Sequence, residues 1–161
     1  MTFLKNKFFK SSNKTNVSGQ EISSTYVEIQ GSRATIEKLN TSSDLYYYFS
    51  FSISVRATSP YDKGFLHVKL QKSNDDFSSN IVDVTGCNYN FSTDTSSVAS
   101  DHLYKINNPM FIVQNTDNDY LRLVVRAYSS NNRALLHLTP HYDGTVGNTL
   151  YYYPTLIIKE L

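Results

Sequence analysis

Leu45-Tyr-Tyr-Tyr-Phe-Ser-Phe-Ser-Ile-Ser-Val-Arg56 decides the fold class. Leu45, Tyr47, Phe49, Phe51, Ile53 and Val55 fall on one parity, and Tyr46, Tyr48, Ser50, Ser52, Ser54 and Arg56 on the other. Successive side chains of a strand point to opposite faces, so the alternation gives one apolar face and one wet face. A helix, with about 3.6 residues per turn, would spread the same apolar residues around its whole circumference. Aromatic and β-branched side chains also suit a pleated, half-buried surface. The stretch is expected to be a long central strand of an antiparallel sheet, packed on a core through one face.

The chain on either side repeats the pattern in shorter pieces. Residues 24–30 and 33–39 alternate around Gly31-Ser32 and are expected to form a hairpin. After the turn cluster at 58–64, residues 65–71 place Leu66, Val68 and Leu70 inward and His67 and Lys69 outward. Residues 81–85 form another strand, with Gly86 at a bulge or turn and 88–91 continuing it. Residues 101–106 fit a short strand less clearly, and 109–114 open on a proline, which suits a strand's first residue or an edge. Residues 120–127 put Leu121, Leu123, Val125 and Ala127 inward and Arg122 and Arg126 outward. Residues 135–138 and 153–160 supply the last strands, with Leu156 and Ile158 on one face. About eight to ten strands at this spacing of turns predict an all-β antiparallel sandwich, a jelly roll, with no helix.

Composition agrees. The 161 residues include 13 Tyr and 9 Phe but no Trp, and only 18% are charged. Ser, Thr and Asn fill the loops, and the aromatic content is too high for a disordered chain. Net charge is +1 but uneven. Residues 1–20 hold Lys5, Lys7, Lys10 and Lys14 and no acid, so the remainder is acidic on balance and is not expected to bind nucleic acid. Residues 1–23 show no strand or helix periodicity and divide from the body at 24–161 as an extended basic and aromatic arm. Such an arm is either a solvated terminus or a tether that orders on a partner through Phe3, Phe8 and Phe9. The apolar residues near the N-terminus are interrupted by lysines, so no secretory leader is expected, and no stretch reaches the roughly 20 apolar residues of a membrane span.

Little in the sequence announces chemistry. Cys87 is the single cysteine and reads as a small buried apolar residue. His67, His102, His137 and His141 show no spacing to it that would suggest a nucleophile and its base. Asn115, Asp117 and Asp119 alternate as in a calcium loop. Tyr120 stands where such a loop needs glycine and Arg126 where it needs an acid, so a polar turn is favoured. No nucleotide, metalloprotease or nucleophile-elbow motif occurs, and neither a cofactor nor an enzymatic activity is expected. The tyrosines are the unusual feature. Tyr46 and Tyr48 lie on the parity opposite the core, and Tyr151 and Tyr153 flank the last strand. Aromatics on the outer side of a long strand need a cover, so these four are candidates for an oligomer interface.

The Tyr-Tyr-Tyr-Phe-Ser-Phe-Ser-Ile-Ser-Val strand, the Ser/Thr/Asn loops and the closing Tyr-Tyr-Tyr-Pro-Thr-Leu-Ile-Ile-Lys-Glu-Leu together resemble a viral virion protein, of a phage or large DNA virus. The resemblance is to jelly rolls of the tumour-necrosis-factor or C1q type and covers residues 24–161 in texture. It implies a homotrimer and a capsid, decoration or fibre protein located in the virion. It also implies an arm that docks on other capsid or vertex proteins through Phe3, Lys5, Lys7, Phe8, Phe9, Lys10 and Lys14. A carbohydrate- or receptor-binding sandwich, taking a host glycan at its Asn/Asp loops, is the alternative.

Overall fold

The computed structural model describes residues 8–12, 20–38, 40, 42–56, 63–94, 102–114, 119–127, 134–137 and 154–161. Among them all regular structure is β. The strands are β1 (Phe8–Ser12), β2 (Gln20–Ile22), β3 (Val27–Glu28), β4 (Ala34–Thr35), β5 (Leu45–Arg56) and β6 (Lys63–Ser73). They continue with β7 (Val82–Asp94), β8 (His102–Asn107), β9 (Met110–Val113), β10 (Tyr120–Ala127), β11 (Ala134–Leu136) and β12 (Thr155–Glu160).

Twelve strands fill only eight positions, because several are collinear pieces of one row. In the first sheet β5 is central. Along one side β12 pairs with its first half and β11 with its second. Along the other side β9 and β8 divide it the same way. β1 and β2 then add an outer row against β12 and β11. The second sheet runs from the β3/β4 row through β10 and β6 to β7. From β5 the chain crosses to β6 and β7, returns to β8 and β9, crosses to β10, and returns to β11 and β12. All pairings are antiparallel, and this winding between two sheets is that of a jelly roll.

The inner parity of β5 behaves as expected, whereas on the other parity, expected to be wet, Tyr46 and Tyr48 are half-buried and Ser50 and Ser52 are buried. Leu45, Tyr47, Phe49, Phe51 and Ile53 are buried, and the Phe49 and Phe51 rings stack with centroids 5.6 Å apart. They meet Leu66, Val68, Leu70, Leu121, Leu123 and Val125 from the second sheet and Leu156 and Ile158 from β12. Each large apolar side chain fully buried there contributes about 1.5–3 kcal/mol, which makes this interior the main source of stability. The Tyr47 hydroxyl, deep in the core, donates to the Ser32 carbonyl and so leaves no unpaired polar atom.

Two expectations change. Residues 24–39 are not a hairpin: β3 and β4 both pair with β10, at Val124–Val125 and Tyr120–Leu121, as successive parts of one edge row. Gly31, at φ 84°, and Ser32 form an interruption within that row. The buried Ser32 hydroxyl bridges the gap by accepting from the Leu123 amide at 3.0 Å and donating to its carbonyl at 3.3 Å. A side chain thus replaces the ladder bonds that the row skips, and no reversal is needed. Within residues 1–23, Phe8–Ser12 and Gln20–Ile22 are strands of the first sheet. Backbone pairing to an open edge requires no alternation of side chains, so periodicity gave no sign of them.

Candidate functional site

The two outer faces of the sandwich are built from different chemistry. On the second sheet the outward residues of β10 and β6 are Arg122, Arg126, His67, Lys69 and Gln71, joined by Tyr26 and Glu28 from the β3 end. Two aromatic rings organise the cations. Lys69 Nζ lies 4.0 Å and Arg126 Cζ 4.9 Å from the Tyr26 ring centre, and the Tyr26 hydroxyl bonds His67 Nδ1. Arg122 Cζ lies 4.0 Å and Arg33 Cζ 5.2 Å from the Phe77 ring. Glu28 pairs with both arginines, Gln71 accepts from Arg122, and Lys69 reaches Asp83 at 2.7 Å. Burial pushes the Asp83 carboxyl up, but Lys69 and Gln71 outweigh it and hold the group below its ordinary value. Beneath this network Val124 is buried although it points outward. The charges on this face are used on one another and cover the sheet.

On the outer face of the first sheet no such cover is formed by the described residues around Tyr46 and Tyr48, although Ser50 and Ser52 farther along β5 are buried. The register aligns Met110, Tyr48 and Ile157 across β9, β5 and β12, and Ile112, Tyr46 and Lys159 in the neighbouring row. Met110 is 62% exposed and Ile112 49%. Ile106, opposite Ser52, is 44% exposed. Tyr46, Tyr48 and Ile157 are half-buried, and the Tyr48 hydroxyl donates to Asn108 Oδ1 at 3.3 Å. Around Tyr46 and Tyr48 this is an apolar patch, bordered by the polar ends of the two phenols, Asn108 and Lys159. Adjacent exposed aliphatics of this kind mark an interaction surface more often than chance.

Beside that face the sandwich edge is closed by an irregularity. Lys69 pairs with Asn88 and Gln71 with Asp83, so Val84–Cys87 of β7 stand opposite Leu70 alone. Gly86, at φ 75°, allows the chain to bulge there, and its open surroundings show that backbone conformation, not space, selects glycine. The bulge brings Cys87 to β9, where Sγ lies 3.8 Å from the Ile112 carbonyl. Burial pushes the Cys87 thiol up, away from the thiolate that nucleophilic attack requires. A groove of about 330 Å³ runs along this edge, lined by Lys72, Val82, Asp83, Val84, Ile112 and Gln114 among others. A second of about 280 Å³ shares Lys72 and Val82 and continues to Asn74, Asn80 and Asp119.

Of the residues singled out from sequence, Tyr46 and Tyr48 stand side by side on the apolar face, and Tyr151 and Tyr153 lie outside the described residues. Phe8, Phe9 and Lys10 are in β1, registered against Lys159, Ile158 and Ile157. Phe3, Lys5, Lys7 and Lys14 lie outside the described residues, as do Asn115 and Asp117 of the weighed calcium loop. Sequence patterns missed Met110, Ile112 and Ile106 as surface residues, since β8 and β9 are too short for alternation to be distinctive. Phe77 and Tyr26 were missed because only the fold brings them to cations far along the chain.

The fold has solved counterparts. Over 96% of its length the chain matches part of the dimeric latent PorU from Porphyromonas gingivalis, at TM-score 0.51 and 9% identity. It spans 13% of that chain, and the likeness shows the fold alone. Eiger TNF from S. frugiperda matches over 96% of this chain and 92% of its own, at TM-score 0.41 and 11% identity. No family model and no curated protein matches the sequence.

Proposed function

We propose that this chain is a non-enzymatic assembly protein that associates with copies of itself through the outer face of its first sheet. The observation that carries this is the row pair Met110–Tyr48–Ile157 and Ile112–Tyr46–Lys159, mainly apolar with one lysine at its end and with Met110 and Ile112 exposed, on a molecule whose other face is screened by paired charges. A second copy is the favoured occupant because the surface is large-side-chained and nearly uncharged, as the centres of self-associating interfaces are. Support for a virion setting, as a capsid, decoration or fibre protein, is the sequence texture described above, which also implies a trimer. Sedimentation velocity at micromolar concentration tests the core of the proposal. The wild type should run as an oligomer, and Tyr46→Asp with Tyr48→Asp should run as a folded monomer, because desolvating two carboxylates in an interface is costly. A monomeric wild type would overturn the proposal.

The paired grooves at the β7 edge favour a second reading, a saccharide-binding module. Asn74, Asn80, Asp83, Gln114 and Asp119 offer hydrogen-bonding groups around the aliphatic Val82 and Ile112, on an open surface that suits a sugar ring. Reproducible signals on a glycan array, lost on Val82→Asp, would promote it over assembly.

A further inference from the structure

β1 and β2 are collinear, and the chain between them is longer than their placement requires. Ser12 registers with Thr155, which registers with Ser50 of β5. Gln20 registers with Leu136, which registers with Ile53. The two strand ends therefore lie three residue steps apart along β5, about 10 Å at roughly 3.3 Å per residue. The chain has eight steps from Ser12 to Gln20, enough to reach about 26 Å when extended. Among the described residues β1 is the outermost strand beside β12, pairs with β12 alone, and is the first strand of the chain. By register it continues both rows of that face one strand outward, Phe8 against Lys159 in the Tyr46 row and Lys10 against Ile157 in the Tyr48 row.

We infer that β1 is a donated strand: in the assembly it pairs with the β12 edge of a second copy and not with its own. This rests on the self-association proposed above and names what fastens it. Donation costs no pairing, because each β12 edge loses one β1 and gains an identical one. What is added is the new contacts between copies. The surplus length supplies the reach, and the position of β1 along the apolar face puts its departure point where a neighbour would lie.

The bond between strands can be trapped. Adjacent antiparallel pairs alternate between wide and close spacing, so one of Phe9/Ile158 and Lys10/Ile157 sits at the close spacing that suits a disulfide. Each pair is replaced by cysteines in full-length protein carrying Cys87→Ala, oxidised mildly at assembly concentration, and run on a denaturing non-reducing gel. Donation predicts covalent dimers or larger ladders for one pair, reduced to monomer by thiol. In a second variant lacking residues 14–18, the remaining link still spans the intramolecular distance but not a neighbour. The same cysteines should then close only within one chain, and association should weaken at least tenfold. A monomeric oxidised band from the full-length linker, or no disulfide from either pair, would overturn donation. If sedimentation shows an oligomer in that case, the apolar face stands without it. If it shows a monomer, both fail.

Discussion

The second sheet faces solvent through charges and the first through aliphatic and phenol groups, although both sheets bury their inner faces equally well. Arg33, Arg122, Arg126 and Lys69 are held over rings or against acids within the same chain. Met110, Ile112 and Tyr46 lie, among the described residues, beside one another, Tyr48, Ile157 and Lys159, with no acid among these neighbours. The difference shows that a face is finished when its polar groups are paired within the chain and unfinished when its apolar groups are not. Exposed area alone does not separate the two cases, since scattered surface hydrophobes are ordinary. What separates them is alignment in adjacent rows.

The comparison breaks most visibly at β9. Met110→Asp with Ile112→Asp should weaken association by about a hundredfold or more, since an interface charge without a partner costs several kcal/mol. The thermal midpoint of the monomer should barely move, because both residues are already exposed. Equal association for this variant and wild type, measured by sedimentation, would place the contact elsewhere.

Acid addresses the core between the faces. His137 is wholly buried, has φ 63°, and neither ring nitrogen has a hydrogen-bond partner. Burial lowers its pKa from 6.5 to about 4, with the Gln30 backbone, outside hydrogen-bond geometry, opposing it only in part. Because the folded value is depressed, the unfolded chain binds the proton more readily between the two values, and stability falls as pH falls from about 6.5 to about 4. The full effect is at most about 3–4 kcal/mol. Denaturant melts across that window should show the slope, and His137→Asn, which tolerates the same backbone conformation, should flatten it.

The smallest expected effect sharpens the comparison from the other side. Arg122→Ala removes a cation over Phe77, bonds to Gln71 and a pair with Glu28, for about 2 kcal/mol of stability. Association should be unchanged. A loss of assembly with intact folding would mean that the charged face also meets a partner.

Sequence alternation revealed the long elements: β5 and β10 carry enough residues for one parity to be unmistakable. The outward direction of Tyr46 and Tyr48 followed from the same count. The interrupted rows were not legible. Gly31-Ser32 has the composition of a turn, and only the burial of Ser32 against Leu123 reveals a gap within one row. β1 and β2 show no side-chain alternation in the sequence; in β2 a single residue, Ile22, enters the core, which is too little to form a pattern. The apolar patch joins residues from three strands, and its extent depends on register, which a single sequence does not display.

The first sheet also has a fault line. The β1/β2, β12/β11 and β9/β8 rows are all interrupted near the level of Ser50–Ser52, and β5 alone runs through it unbroken. Among the described residues the sheet is thus two half-panels joined by one unbroken strand and by the short Asn108-Pro109 link. Lengthening the chain at either outer interruption would leave the ladders of both panels in place, whereas one residue inserted into β5 would shift every pairing beyond it. Under tension the described panels would share load through β5 and through the Asn108-Pro109 link between β8 and β9, where the Phe49 amide donates to the Pro109 carbonyl, so the twelve residues that announce the fold also carry much of its mechanical strength.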